Sequence, residues 1–239
     1  MKSTTHKKYA FCDYAGDETA EDLLRWALAT YHPRLAIASS LQDAVLVHMA
    51  ATIRKDVRVF TIDTGRLPEA AFICAEEMTR QLGVHIEWFF PKHEAVQRLV
   101  TEKGAFSFKQ SLEDRRECCY IRKVEPLNRA LSGLDAWITG MRSDESVTRS
   151  ALVKIEKDES HGGILKINPL ADWSTERVRA YIREHRIPYN RLLDRAYPSI
   201  GCACCTRPVE TGEDPRAGRW WWEHPSHKEC GLHVRDWNI

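Results

Sequence analysis

Two pairs of cysteines are the residues best placed to carry chemistry in this chain. Cys202 and Cys205 form a C-x-x-C pair, and Cys118 and Cys119 are adjacent far upstream. A C-x-x-C turn directs two sulfurs at one centre. Four thiolates are the ligand set of either a structural zinc ion or an iron–sulfur cluster. The spacing therefore predicts one metal centre that two distant segments build together.

The adjacent pair bears on which metal group fits. Neighbouring side chains on a helix point about 100° apart. Cys118 and Cys119 therefore reach one centre only if the helix end is distorted or the centre is large. Different irons of a 4Fe–4S cluster can accept two such sulfurs, whereas a single zinc ion cannot. The pair favours the cluster, with zinc as the alternative; taken without the downstream pair, two small buried hydrophobic residues are an equally good interpretation.

A further thiol, Cys230, lies near the end of the sequence. Lys228 precedes it and His233 follows it, and nearby cations lower the pKa of a thiol and raise its thiolate fraction. In isolation, an inert thiol is the more ordinary interpretation of Cys230. Cys12 and Cys74 have no cysteine or cationic motif beside them, and we interpret them as ordinary core or surface thiols.

Several basic residues follow candidate strand ends or the cysteine pairs. They are Arg66, Lys123, Arg142, Arg216 and Arg219. Any one of them could be a solvated surface charge. Together they predict a pocket for a doubly charged anion, such as the phosphate or sulfate group of a nucleotide.

Alternating strands and helices must position these residues. Short apolar runs at 35–38, 57–62, 84–89 and 136–139 predict buried strands, with helical stretches between them. This alternation is typical of an α/β fold with a doubly wound, mostly parallel sheet. A short hairpin is predicted from 152–155 and 164–167. The alternation stops after Leu192, so we divide the chain into an α/β nucleotide-binding domain, residues 1–196, and a Cys-rich C-terminal arm, residues 197–239, that folds over the sheet's ligand edge.

Polar residues follow the predicted strands, and the carboxyl ends of parallel strands are where ligands bind in open sheets. They are Ser39, Ser40, Gln42 and Asp43 after the first strand, Asp63, Gly65 and Arg66 after the second, and Gly140 and Arg142 after a later one. A loop between a strand and a helix presents backbone N–H groups to a phosphate. The loop after the first strand has no glycine, so an ordinary turn capped by a serine remains equally open.

Composition narrows the function classes. The formal net charge of +1 produces no strong positive electrostatic field, which a nucleic-acid-binding protein would be expected to have. No apolar run approaches the roughly 20 residues that span a bilayer, and no signal-peptide core fits the N-terminus. Eight cysteines in such a chain indicate metal binding or catalysis more than disulfides. We predict a cytoplasmic protein whose partners include neither nucleic acid nor a membrane.

In combination, these motifs resemble the assimilatory sulfonucleotide reductases, the adenylyl-sulfate and phosphoadenylyl-sulfate reductases. The matching segments are Asp63-Thr64-Gly65-Arg66, Cys118-Cys119 with residues 122–127, Trp137-Ile138-Thr139-Gly140, residues 197–202 with Cys205-Thr206, and Glu229-Cys230-Gly231-Leu232-His233. The resemblance covers nearly everything from the first strand to the last motif. Two cysteine pairs followed by the Glu-Cys-Gly-Leu-His tail make a specific combination.

The resemblance implies an adenine-nucleotide α-hydrolase-like sheet and a reaction. Cys230 would be the nucleophile: its thiolate would attack the sulfate sulfur of adenylyl sulfate, expel AMP and become an S-sulfocysteine. Thioredoxin or glutaredoxin would then release sulfite.

The resemblance also implies roles for other residues. Cys118, Cys119, Cys202 and Cys205 match the 4Fe–4S ligands of the adenylyl-sulfate branch. Lys123 would link cluster and substrate electrostatically, and Arg216 and Arg219 would hold the phosphosulfate. Ser39, Ser40, Gln42 and Asp43 would form the nucleotide loop, and His233 would belong to the substrate site.

Two features depart from the family pattern. Cys204 stands where a small residue without a thiol is usual; it could compete as a ligand or form a disulfide with Cys205. The nucleotide loop is abbreviated.

Alternative functions remain open. One is a reductase for the 3'-phosphorylated nucleotide, or for both nucleotides. A second is a tRNA-thiolating sulfurtransferase on the same sheet, which would favour a glycine-containing pyrophosphate loop and a more basic chain. A third is a zinc-stabilised nucleotide-binding module without catalysis, which leaves Cys230 without a purpose.

Overall fold

One six-stranded sheet organises the protein. The computed structural model describes residues 18–146, 149 and 151–224. The strands are β1 (Leu35–Ala38), β2 (Val59–Ile62), β3 (Ile86–Phe89), β4 (Ala136–Thr139), β5 (Ile155–Asp158) and β6 (Ile164–Ile167). They lie in the order β3-β2-β1-β4-β6-β5. Neighbouring strands are parallel except β5 and β6, which form an antiparallel hairpin.

Helices precede, connect and follow the strands. They are α1 (Ala20–Tyr31), α2 (Val45–Ile53), α3 (Glu69–Leu82), α4 (His93–Lys103), α5 (Leu112–Cys119), α6 (Glu125–Leu131) and α7 (Thr175–His185). The hydroxyls of Thr19 and Ser174 accept the backbone N–H groups of Asp22 and Arg177, which satisfies donors left open at the starts of α1 and α7. None of the described helices has the length and apolar character needed to cross a membrane.

Both faces of the sheet are covered, because alternate strand residues point to opposite faces. On one face, Leu35 and Ile37 of β1 join a core that includes α1, α2, α3 and α7. On the other face, Ala36 packs with Phe60, Trp137 and α6. The doubly wound, mostly parallel sheet predicted from the sequence is confirmed.

The hairpin is displaced from its predicted position. We expected its first strand at residues 152–155, but β5 is Ile155–Asp158 and pairs Asp158 with Ile164. The turn is compact because Gly162 and Gly163 adopt positive φ angles of 76° and 73°, which glycine reaches without steric cost. Fewer residues are therefore needed to reverse the chain.

The segment from residue 197 to 224 packs against the loops that follow β1 and β2. The side-chain amide of Gln42 donates to the Pro198 carbonyl at 3.4 Å and accepts from the Ile200 N–H at 3.3 Å. The hydroxyl of Thr64 lies 3.2 Å from Cys202 Sγ. These contacts place the C-x-x-C stretch at the carboxyl edge of the sheet.

Candidate active site

A cleft of about 1190 Å³, part of it open to solvent, lies at the carboxyl edge of the sheet. One part of its lining is apolar and includes Phe60, Ile62, Leu67, Leu127 and Trp137. Another part is cationic and consists of Lys123, Arg149, Arg216 and Arg219. A cleft with these two kinds of wall suits a ligand that joins a flat apolar group to a multiply charged anion.

The structure brings many of the predicted site residues to this cleft. Those that line it are Ser39, Ser40, Gln42, Lys123, Gly140, Arg216 and Arg219. The predicted residues Asp43, Asp63, Gly65, Arg66 and Arg142 lie nearby but are not part of the lining. Cys230 and His233 fall outside the described residues.

Two predicted carboxylates shape the loops that carry the site. Asp43 Oδ1 accepts the Val45 N–H at the start of α2, and burial raises the pKa of this carboxyl despite the charge of Arg142. Asp63 Oδ1 accepts the Gly65 N–H at 2.7 Å. Gly65 has a φ of 68°, which explains the need for glycine there.

Two buried arginines of the C-terminal arm converge on the Ser199 hydroxyl. Arg219 Nη1 donates to Ser199 Oγ at 3.2 Å and to the Ile200 carbonyl at 3.3 Å, and Arg216 Nη1 lies 3.4 Å from the same hydroxyl. The guanidinium of Arg219 crosses directly over Gly201, where a Cβ atom would lie 2.5 Å from Arg219 Cζ. Guanidinium groups held in this way have fixed donors for an anion.

Sequence reasoning missed Arg149 on the cationic wall. Its Nη1 lies 2.6 Å from Glu145 Oε2, and Arg142 Nη2 lies 3.3 Å from Glu145 Oε1. Glu145 therefore organises two guanidinium groups beside the cleft. The signal available was only a position in the loop after β4, because the loop's basic residues do not by themselves show which side chain returns to the cleft.

The four predicted cysteine ligands, all buried, surround one small cavity next to the cleft. The cavity is lined by Cys118, Cys119, Cys202 and Cys205, by Arg66, Arg115, Arg122 and Lys123, and by Phe108 and Trp220. Helix α5 ends at Cys119 and continues as a π-helical turn from Tyr120 to Val124. The helix is thus distorted immediately after the adjacent pair, which is one of the two conditions under which both sulfurs could reach one centre.

These residues fit a polynuclear iron–sulfur group. Within residues 18–146, 149 and 151–224, four cysteines, four cations and two aromatic residues line this one cavity. Trp220 Nε1 is a buried donor with no hydrogen-bond acceptor in that part of the chain, and it lines the same cavity. Four cations suit the negative charge that four thiolates bring to a cluster. Burial raises the pKa of Cys118, and Arg66 and Arg122 act against that rise.

Cys204 lies beside this cavity but is not part of its lining. Its Sγ is 3.8 Å from Cys205 Sγ and 3.8 Å from Arg66 Nη1. The hydrogen bond with the Cys205 thiol lowers the pKa of Cys204, and burial opposes this while Arg66 adds to it. This partly buried thiol therefore contacts both Cys205 and Arg66.

Lys123 and Cys202 line both the cleft and the thiol cavity. One cation and one predicted metal ligand thus form a common wall between the two spaces. An anion in the cleft and a metal group in the cavity would both lie next to the Lys123 ammonium group.

Comparisons with known proteins agree with this geometry. Residues 32–208 match the phosphoadenosine phosphosulfate reductase domain. A protein of Allochromatium vinosum named adenosine 5'-phosphosulfate reductase is 49% identical over 204 residues, which cover 84% of this chain and 79% of that protein. One with the same name from Pseudomonas aeruginosa is 41% identical and covers 94% of this chain and 86% of the relative.

Solved structures confirm the predicted fold. The phosphoadenylyl-sulfate reductase of Candida auris, solved as a phosphate complex, superposes with a TM-score of 0.67 and 31% identity, covering 81% of this chain and 91% of that one. FMN adenylyltransferase of Candida glabrata shares the fold alone, with a TM-score of 0.55 and 12% identity over 91% of this chain and 75% of that one. The α/β sheet is therefore of the adenine-nucleotide α-hydrolase-like kind. On the domain match and these identities, the chain belongs to the phosphoadenosine phosphosulfate reductase family.

Proposed function

We propose that the protein reduces adenylyl sulfate to sulfite and AMP in sulfate assimilation, with thioredoxin or glutaredoxin as the reductant. The observation that carries this proposal is the shared wall between the cleft and the thiol cavity. Relatives named adenosine 5'-phosphosulfate reductase at 41–49% identity support the choice of nucleotide. The lack of glycine in the loop after β1 and the small net charge argue against a tRNA-thiolating enzyme.

The residues of the cleft would act by binding and orientation. The base would occupy the apolar part, and the phosphosulfate would lie among Lys123, Arg149, Arg216 and Arg219. Fixed cations of this kind also stabilise the negative charge that grows on the AMP phosphate as it leaves. The buried position of these cations strengthens that interaction relative to water.

Cys230 would supply the nucleophile from the C-terminal arm. Its thiolate forms an S–S bond to the sulfate sulfur while the bond from that sulfur to the phosphate oxygen breaks, and AMP leaves with the electron pair. One thiolate of the reductant then attacks Cys230 Sγ and releases sulfite. Its second thiol resolves the mixed disulfide, so the dithiol provides both electrons and Cys230 is restored.

We further propose that Cys118, Cys119, Cys202 and Cys205 hold one 4Fe–4S cluster per chain. When bound, the cluster would polarise the substrate's surroundings through Lys123 rather than donate electrons to sulfate. We also propose that the α/β domain ends at residue 196 and the C-terminal arm begins at residue 197. The proposed location of the protein is the cytoplasm.

The metal content gives one direct test. Anaerobically purified protein is expected to contain about four irons and four sulfides per chain. Cys205→Ala should lose most of this iron, whereas Cys204→Ala should keep it, because Cys204 is not part of the cavity lining. Iron and acid-labile sulfide assays measure both. Colourless parent protein with stoichiometric zinc, or iron loss in Cys204→Ala, would contradict the ligand assignment.

The reaction itself is tested without turnover. Incubating the anaerobic protein with adenylyl sulfate and no reductant should release AMP and add the mass of a sulfite group to the peptide that contains Cys230. Reduced thioredoxin should then remove that mass and release sulfite. Adenylyl sulfate that stays intact, or a mass increase on a different cysteine, would refute the proposed route.

Substrate choice needs a separate measurement. We expect kcat/KM to favour adenylyl sulfate over its 3'-phosphorylated form. A tenfold preference needs only about 1.4 kcal/mol of differential transition-state binding. Steady-state assays of both nucleotides with one reductant decide the point. A preference for the 3'-phosphorylated nucleotide would assign the protein to the other branch.

A further inference from the structure

A buried polar pair lies behind the apolar wall of the cleft. Asp158 ends β5 and His161 lies in the turn that follows, and their side chains are only 9% and 5% exposed. Asp158 Oδ2 accepts two hydrogen bonds, one from His161 Nδ1 at 2.8 Å and one from Trp137 Nε1 at 3.2 Å. Neither residue of the pair lines the cleft, and the proposed reaction does not use either one.

Burying a carboxylate is costly unless its oxygens are paired. Burial would by itself raise the pKa of Asp158, but the hydrogen bond and charge of His161, together with Lys166 and the indole N–H, hold it below the ordinary value. Lys166 is itself paired with Glu156 at 2.9 Å. The carboxylate therefore stays ionised and keeps both acceptor contacts.

The Asp158 carboxylate acts on the cleft through the indole of Trp137. This indole belongs to β4 and lines the apolar part of the cleft with Phe60 and Leu127. Its N–H is held by Asp158, and its ring meets the His161 ring edge to face, with centroids 5.8 Å apart. The indole is thus fixed both by a hydrogen bond in its own plane and by a ring contact.

We propose that Asp158 and His161 are positioning residues, which fix the Trp137 indole, only 1% exposed, as the floor of the apolar part of the cleft beneath the adenine base. The identity of the base rests on the proposed function. Asp158 sets the direction of the indole N–H, and His161 occupies the same oxygen so that the carboxylate cannot turn away. The pair acts on base binding and leaves the sulfur chemistry untouched.

The test measures AMP binding by titration calorimetry on iron-replete protein. Asp158→Ala is expected to raise the AMP Kd about tenfold, because the indole N–H loses its charged acceptor. In assays with adenylyl sulfate, KM should rise by a similar factor while kcat stays at the parent value. Asp158→Asn, whose amide oxygen can still accept the indole N–H, should restore Kd to within about twofold of the parent.

Glu159→Ala is the matched control, because Glu159 lies in the same turn but is exposed. It should bind AMP like the parent. A merely structural loss would lower the melting temperature and the active fraction, and so kcat, without raising KM. If Asp158→Ala does not fold, Trp137→Phe replaces it: this variant removes the N–H donor together with the five-membered ring of the indole and keeps an aromatic ring at the same place, and its Kd should rise about fivefold.

The outcomes separate the two proposals. Parent protein that binds AMP while Asp158→Ala, or Trp137→Phe in its place, binds equally well overturns the role of the pair and leaves the proposed function intact. Failure of Asp158→Asn to restore binding also overturns it. Parent protein that does not bind AMP overturns both.

Discussion

Replacing Cys230 with serine is expected to lower turnover by roughly three orders of magnitude or more. The serine hydroxyl is a poor nucleophile towards sulfate sulfur and cannot form the S-sulfo intermediate. Iron content, colour and nucleotide affinity should stay at parent values, because four other thiols line the cavity and two arginines of the cleft lie elsewhere in the arm. Sulfite release with reduced thioredoxin measures the loss.

Cys204→Ser is the control for this variant. Cys204 is the other thiol near the proposed centre without an assigned role, and its replacement should leave turnover largely intact. Iron loss in Cys230→Ser would make Cys230 a ligand and displace one of the four assigned cysteines. Appreciable turnover in Cys230→Ser would move the nucleophile to another thiol, with Cys204 the first candidate.

Gly201→Ala is expected to weaken binding of AMP and adenylyl sulfate by about 10- to 100-fold, the loss of one or more charged hydrogen bonds. The new methyl group would occupy the space of the Arg219 guanidinium, because a Cβ atom on residue 201 would lie 2.5 Å from Arg219 Cζ. The side chain can move, so the backbone is spared and the melting temperature should change little. Calorimetry and thermal unfolding measure the two effects separately.

Variants of Arg219 and Gly218 serve as comparisons for Gly201→Ala. Arg219→Ala should show a similar loss of affinity, larger at low ionic strength because the lost interaction is electrostatic, and Arg219→Lys should recover only part of it. Gly218→Ala should instead lower stability, because its methyl group would meet the backbone carbonyl of Arg207. If Gly201→Ala and Arg219→Ala both bind nucleotide like the parent at low salt, the anion is held elsewhere.

The parts of the fold that sequence could predict depend on local pattern. Apolar runs placed the parallel strands and the helical stretches between them, because the hydrophobic period acts over short distances. The β5–β6 hairpin was placed three residues early at its first strand. Its register depends on the backbone angles of Gly162 and Gly163, which residue type alone does not reveal.

The site was predictable where residue type is itself informative. Cysteine pairs are rare enough to predict a metal centre, and all four assigned thiols line one cavity. Arginines are different: Arg115, Arg122 and Arg149 are mostly buried here, yet a single arginine in a sequence is usually a surface charge. The role of Gln42 was also hidden, since its amide contacts the arm 156 and 158 residues away.

The buried ion pair between Arg115 and Glu223 has a consequence for the proposed attack by Cys230. Their side chains are 3% and 9% exposed and lie 2.9 Å apart, and the Arg115 guanidinium also stacks on Trp220. Breaking a buried pair of this kind is strongly unfavourable, so the chain is anchored at Glu223, four residues after Arg219 in the cleft wall. Cys230 is seven residues beyond this anchor, which sets an upper limit of about 25 Å on its distance from Glu223. A thiol tethered so closely has an effective concentration in the millimolar range. The proposed attack on the bound nucleotide would then be an intramolecular event, whose rate would depend on this anchor and not on the protein concentration.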